Sequence, residues 1–223
     1  NFAFLNNKTL IRKFKKDKYK SKLEFVNSKK YMSIKKNVKN DYLNSETNLE
    51  NMSYVYTFSK ILKIKEKSFI KSLKSFKGLA HRHEIFYKKN NKIFINDSKA
   101  TSFEASRFAL KSNKNIFWIV GGLPKLGDKF KLDEVKKNIV KAYIIGKHVK
   151  HFKKFLKSEI SFELSKTLNN AMISIFEDIK NIKGKKSTIL LSPASASYDQ
   201  FKNFEERGNK FKKLATNYAK KYF

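Results

Sequence analysis

The chain has 223 residues, with 51 Lys or Arg against 19 Asp or Glu, for a formal net charge of +32. Its 40% hydrophobic and 14% aromatic content provides for a packed core and excludes a disordered chain. The lack of cysteine excludes disulfides and thiolate metal sites and fits a reducing compartment, and no apolar run approaches the ~20 residues that span a bilayer.

Taken in chain order, the segment opens on Asn-Phe-Ala-Phe rather than Met and reads as a fragment, with no secretory signal pattern. Leu10 to Val38 alternates weakly and reads as short, lysine-rich strands. From Asn48 the period changes. Leu49, Met52, Val55, Tyr56, Ser59 and Leu62 recur at helical spacing, as in an amphipathic helix. A second helix is expected over Glu66 to Phe76, stopped by Gly78. All seven glycines and both prolines lie at Gly78 or later. A domain boundary is therefore placed there, giving domains at 1–78 and 79–223.

Beyond the boundary, Glu84 to Tyr87 and Lys92 to Ile95 flank Asn90-Asn91 as a β-hairpin. Thr101 with Glu104 forms a capping box, so a helix is expected from there to about Lys111. Asn115 to Val120 is a buried-type strand running into Gly121-Gly122. Further elements are expected as a helix near Leu132 to Ile139, a strand at Ala142 to Ile145, a helix at His148 to Lys157 and a strand at Phe162 to Leu164. A helix at Thr167 to Lys180 and a strand at Thr188 to Leu191 follow, then a long basic helix from Asp199 to the C-terminus. Strands alternating with helices imply an α/β fold with a mostly parallel sheet.

The net charge would ordinarily point to a polyanionic partner. Its form argues otherwise. Arginine occurs only at Arg12, Arg82, Arg107 and Arg207, and lysine is scattered through every segment. Arginine is the residue that forks onto phosphates and base edges. A solvated lysine-rich surface therefore ranks ahead of a specific nucleic-acid site, although a lysine-rich nucleic-acid-binding module stays the alternative reading. Weak non-specific binding at low salt follows from the charge alone.

Three stretches carry candidate chemistry, each placed after an expected strand, where open α/β sheets hold ligands. Asn96-Asp97-Ser98-Lys99-Ala100-Thr101 offers a carboxylate and an ammonium at alternate positions, before a helix N-terminus suited to an anion. That stretch reads equally well as an ordinary capped turn. Gly121-Gly122-Leu123-Pro124-Lys125 allows close backbone approach and places one lysine, but alone it is a common strand-to-loop turn. Leu191 to Gly208 begins with small residues that leave room for a ligand and ends with the rare pair Arg207-Gly208. His81 and His83 lack a nearby carboxylate cluster and are read as no metal site. His148 and His151 are read as solvated residues on a helix surface. No Gly-Lys-Ser/Thr phosphate loop occurs.

Together with Thr47-Asn48-Leu49-Glu50-Asn51 and Ala80-His81-Arg82-His83-Glu84, these words resemble the C-terminal half of a Mur ligase, in its D-glutamate-adding branch. The resemblance is firm from about Asn48 onward and loose before Asn40. It implies a Rossmann-like C-terminal domain that binds the amino acid, preceded by a remnant of a central α/β ATPase domain. The activity it implies is ATP-dependent addition of D-glutamate to UDP-N-acetylmuramoyl-L-alanine through an acyl phosphate, in a cytoplasmic monomer of peptidoglycan synthesis. A sibling ligase with another amino-acid substrate remains open.

By the same resemblance, Asn48 and Asn51 contact the adenine side of ATP, and Arg82 and Asp97 reach its ribose and phosphates. Lys99 sits near the transferred phosphoryl group. Thr101, Lys125, Ser197 and Phe204 hold D-glutamate, and Tyr198 lines that pocket. Lys99 and Lys125 are the catalytic candidates. The family's UDP-binding domain, its phosphate loop and the segment expected to carry the Mg2+ ligands have no counterpart in this sequence. The chain alone is therefore expected to be inactive.

Overall fold

The computed structural model describes residues 1–43, 46–180, 182 and 184–222. The chain divides into two compact units, Asn1–Gly78 and Leu79–Phe223.

In the N-terminal unit, β1 (Phe2–Leu5) pairs in parallel with β2 (Lys22–Phe25), and α1 (Lys8–Lys16) connects them. α2 (Ser28–Lys35), a 3-10 turn at Asp41–Leu43, α3 (Glu46–Ile61) and α4 (Glu66–Ser75) follow. The expected strands over Leu10 to Val38 are found only at β2, and α1 and α2 make much of the rest helical. Two asparagines nucleate those helices. Asn7 Oδ1 accepts from the Thr9 and Leu10 amides, and Asn27 Oδ1 from Lys29. The core is one cluster of Tyr31, Ile34, Val38, Leu43, Tyr56, Phe69 and Leu73. On α3 the inward stripe runs through Leu49, Met52, Tyr56 and Ser59, while Val55 and Leu62 are exposed. α4 stops without the glycine: Phe76 is already extended at ψ 118, and Gly78 follows in the loop.

The C-terminal unit is built on a six-stranded sheet of order β3-β4-β8-β5-β6-β7. Its strands are β3 (Glu84–Lys89), β4 (Lys92–Asn96), β5 (Ile116–Gly121), β6 (Ile139–Ile145), β7 (Phe162–Lys166) and β8 (Ser187–Leu191). Only β3, the hairpin partner of β4, runs antiparallel. Strand alternation sorts side chains into two layers. Phe117, Ile119, Tyr143, Ile145, Ile189 and Leu191 face α7 (Leu168–Lys180) and α8 (Phe204–Tyr222). Ile116, Trp118, Val120, Ala142, Ile144 and Leu190 face α5 (Phe103–Ser112) and α6 (Val149–Leu156). Burial on both faces explains why β5 is apolar at every position.

Four expectations change here. The cap of α5 is Ser102, whose Oγ accepts from the Ala105 amide, while Thr101 is exposed and Glu104 pairs with Arg107. The stretch near Leu132 to Ile139 is turn and a 3-10 segment at Lys136–Asn138, with Leu132 and Val135 as buried anchors. α8 starts at Phe204 rather than Asp199, and Phe223 lies outside the described residues. His151 is half-buried, its ring 5.3 Å from Phe152 and 5.2 Å from Phe155, not solvated on a surface.

Candidate functional site at the carboxyl ends of the strands

β7 returns through α7 to place β8 between β4 and β5. The three candidate loops therefore leave adjacent strands at one edge of the sheet, where the strand order reverses. Open α/β sheets bind ligands at this place. Backbone hydrogen bonds stitch the loops together. The Asp97 amide donates to Leu191 O at 2.8 Å, Gly121 N to Pro193 O at 2.9 Å, and Leu123 and Ala196 exchange a reciprocal pair at 2.9 and 3.0 Å. On the β5 side, Asp128 Oδ2 accepts from the Phe103 amide at 2.7 Å.

Asp97 and Lys99 do not leave an extended segment side by side. The chain turns, with Ala100 N donating to Asp97 O and Lys99 N to His81 O. Asp97 is buried. Its carboxylate accepts from Ser192 Oγ at 2.7 Å and from the His83 amide at 3.0 Å. Burial pushes the carboxyl up to about 7, against the lowering pull of those two hydrogen bonds and of the Arg82 charge. Arg82 itself is exposed, between His81 at φ 62 and His83 at φ 48. Side-chain bonds hold this left-handed pair: the His81 amide donates to Glu84 Oε2 at 3.0 Å, and Asn96 Nδ2 bonds His81 Nδ1 at 2.9 Å.

Lys99 Nζ lies 3.9 Å from the centroid of the Phe204 ring, a cation–π contact. The His81 ring meets the same phenyl edge-on, at 5.9 Å between centroids. Lys99 and Phe204 are thus brought together. Thr101, Lys125 and Tyr198 are exposed, Tyr198 at 72%, while Ser197 is 2% exposed. Tyr198 therefore stands at the rim in this structure. In the N-terminal unit, Asn48 Nδ2 donates to Tyr42 O at 2.7 Å and Asn51 is exposed.

Arg207 is the residue whose role the sequence left unassigned. It is 1% exposed and joins two of the loops: Nε donates to Ser98 Oγ at 3.0 Å, and Nη2 to Ser98 O at 2.9 Å and Ser195 O at 3.0 Å. Ser98 Oγ in turn donates to Phe204 O at 2.8 Å. Burial lowers the guanidinium to about 10, and the Asp199 charge opposes that shift. Its scarcity was the available signal: one of four arginines, set inside the small-residue block. Gly208, the next residue, sits where a Cβ would collide with the His81 ring. That close approach offsets the ~1 kcal/mol cost of a helical glycine.

The arrangement suits carboxylate recognition: Thr101 and Lys125 are exposed at the strand ends, and in the buried scaffold Arg207 Nη1 and His83 Nδ1 have no hydrogen-bond partner among the described residues. Among the described residues, no group of three or more His, Asp or Glu side chains could hold a metal ion.

No family model matches the chain. Curated relatives do. It is 42% identical over 170 residues to a protein of Wolbachia sp. subsp. Brugia malayi (strain TRS), covering 76% of this chain and 34% of the relative. It is 38% identical over 175 residues to one from Wolbachia pipientis wMel, covering 78% and 34%. A Bartonella henselae protein is 42% identical over 169 residues, covering 76% and 36%. All three are named UDP-N-acetylmuramoylalanine--D-glutamate ligase. The chain belongs to the Mur ligase family. It spans about a third of the length of these relatives.

Solved Mur ligases share the fold. MurF from Acinetobacter baumannii aligns with a TM-score of 0.55 at 14% identity, over 78% of this chain and 38% of that one. MurF ligase from Thermotoga maritima, solved in complex with ADP, aligns at 0.52 and 17% identity, over 77% and 39%.

Proposed function

We propose that this chain is part of an ATP-dependent ligase that joins D-glutamate to UDP-N-acetylmuramoyl-L-alanine in peptidoglycan synthesis. ATP transfers its γ-phosphoryl group to the substrate carboxylate, giving an acyl phosphate and ADP. The D-glutamate amine then attacks the carbonyl carbon, and phosphate leaves from the tetrahedral intermediate. In this reading Thr101, Lys125, Ser197, Tyr198 and Phe204 receive D-glutamate. Arg82, Asp97 and Lys99 of the C-terminal unit and Asn48 and Asn51 of the N-terminal unit serve ATP. Lys99 and Lys125 supply positive charge that stabilises the transition state more than the ground state. The 1–78 unit is then a remnant of the ATPase domain and 79–223 the amino-acid-binding domain.

One observation carries the reading: the loops bearing Thr101, Lys125 and Ser197 are hydrogen-bonded to one another at the ends of adjacent strands. The names of the relatives support D-glutamate as the amino acid. The ADP-bound fold neighbour supports nucleotide use. In this reading any Mg2+ ligands belong to the part of the relatives that this chain does not span. A cytoplasmic, monomeric enzyme fits the reading, and no helix among the described residues is long and apolar enough to cross a membrane. The chain alone is expected to form no product from ATP.

Calorimetric competition tests the substrate. D-glutamate is expected to bind the chain, and L-lysine and diaminopimelate are expected not to displace it. Displacement by either would assign the chain to a sibling ligase.

A further inference from the structure

The segment from Ser192 to Gln200 touches the carboxyl end of every parallel strand. Ser192 Oγ bonds Asp97 after β4, and Ala196 pairs with Leu123 after β5. Asp199 Oδ2 accepts from the Lys147 amide after β6 at 2.8 Å, and Gln200 Nε2 donates to Lys166 O at the end of β7 at 2.9 Å. The segment is a strap laid across the sheet edge. Its first half is fixed by buried backbone, but beyond Ala196 it crosses β6 and β7 on side chains alone. Gly146, at φ 93, brings its Cα so close to the Asp199 carboxylate that a Cβ would collide with it. The fit at that point is tight for a partly exposed aspartate.

We propose that Asp199 is a positioning residue: with Gln200 it latches the strap over β6 and β7, and so fixes Ser197 for the amino-acid substrate. This rests on the reading of the C-terminal unit as the D-glutamate-binding domain. The transmission is short. Ser197 O accepts from the Gln200 amide at 3.1 Å and the Phe201 amide at 2.9 Å. Ser197 to Phe201 is therefore one closed turn, and a displacement of Asp199 moves Ser197 with it. Downstream the strap is caught again, where Asn203 Oδ1 accepts from Glu206 N at 2.8 Å to start α8. Asp199 lies between two anchors, Ala196 and Asn203, and without it only the Gln200 bond to Lys166 O ties the turn carrying Ser197 to the strand ends between them. A hydrogen bond to the charged carboxylate is the stronger of the two latches.

The test uses the 15N-labelled 223-residue chain as wild type, Asp199→Ala and Asp199→Asn. Amide exchange is read at Lys147 and Phe201, and D-glutamate titrations are followed at Ser197. Asp199→Ala is expected to speed exchange at both amides and weaken D-glutamate by about tenfold, with the urea midpoint unchanged. Asp199→Asn, which keeps an oxygen acceptor, is expected to restore both. Unchanged affinity in Asp199→Ala, or no rescue by Asn, overturns the latch. If the wild-type chain does not respond to D-glutamate, the substrate reading fails separately. The latch is then judged by exchange alone, where equal rates in wild type and Asp199→Ala overturn it.

Discussion

The two units of the chain solve burial differently. The C-terminal unit sandwiches its sheet between two apolar layers, with Phe117, Trp118, Ile119 and Val120 all at 0% exposure. The N-terminal unit has a two-stranded sheet and a single cluster, and it leaves Phe2, Leu10, Phe25 and Met32 each at 46% exposure or more. The first is the kind of rigid scaffold on which loops can be held to the accuracy a binding site needs. The difference teaches where site geometry is cheapest to maintain: at strand ends whose strands are themselves immobile.

The comparison can be broken most forcefully at the scaffold. Phe117→Ala is expected to cost roughly 3–5 kcal/mol, read from urea unfolding followed by Trp118, the sole tryptophan. A loss below roughly 1 kcal/mol would mean the sheet is not the rigid part. Next in size is a pH effect. The folded Asp97 carboxyl titrates near 7 against an ordinary 3.8, so the folded state holds the proton more tightly than the unfolded chain does. The resulting stability is fully present below pH about 4 and is lost as pH rises through about 7, at roughly 1.4 kcal/mol per pKa unit. Urea midpoints from pH 4.5 to 7.5 should fall in the wild type and lie flatter in Asp97→Asn; parallel curves would refute the assignment.

Arg207→Leu removes charged donors from Ser98 and Ser195, at a cost of about 1.5–3 kcal/mol. Faster amide exchange should then appear in both loops at once. Exchange confined to one loop would show that the guanidinium does not join them. The smallest effect belongs to the N-terminal unit. Tyr31 is fully buried with a hydroxyl that lacks a partner among the described residues, so Tyr31→Phe should be neutral or stabilising by up to ~1 kcal/mol. A clear destabilisation in denaturation would reveal a partner for that oxygen.

The sheet was legible where one signal dominated. Ile116 to Val120 could hardly be anything but a buried strand, and the motif loops had to follow such strands. Legibility failed where tertiary contacts outweigh local pattern. Leu132 and Val135 have helical spacing, yet each is an anchor for a turn. Thr101 and Ser102 are both competent caps, and only the path of the chain selects Ser102. Asp199 to Asn203 has helix-compatible residues, but these side chains are committed to Lys147, Lys166 and the start of α8. In Leu10 to Val38 the helices are short, of 9 and 8 residues, and the two asparagine caps were the overlooked cue. At the site, motif resemblance supplied the candidates, exposed Thr101 and buried Ser197 alike, but not Arg207, which ties their loops together. Arg207 joins Ser98 to Ser195 across a large sequence separation, and no local pattern reports such a bond.

The central claim is that the sheet edge bearing Lys125 receives the carboxylates of D-glutamate. Timed lysine acetylation, read residue by residue by mass spectrometry, tests it directly, because the many other lysines serve as internal controls. Saturating D-glutamate should slow modification of Lys125 at least about fivefold, the scale of a well-formed charge-assisted contact, and leave lysines such as Lys13 and Lys153 unchanged. Equal modification of Lys125 with and without D-glutamate would contradict the account.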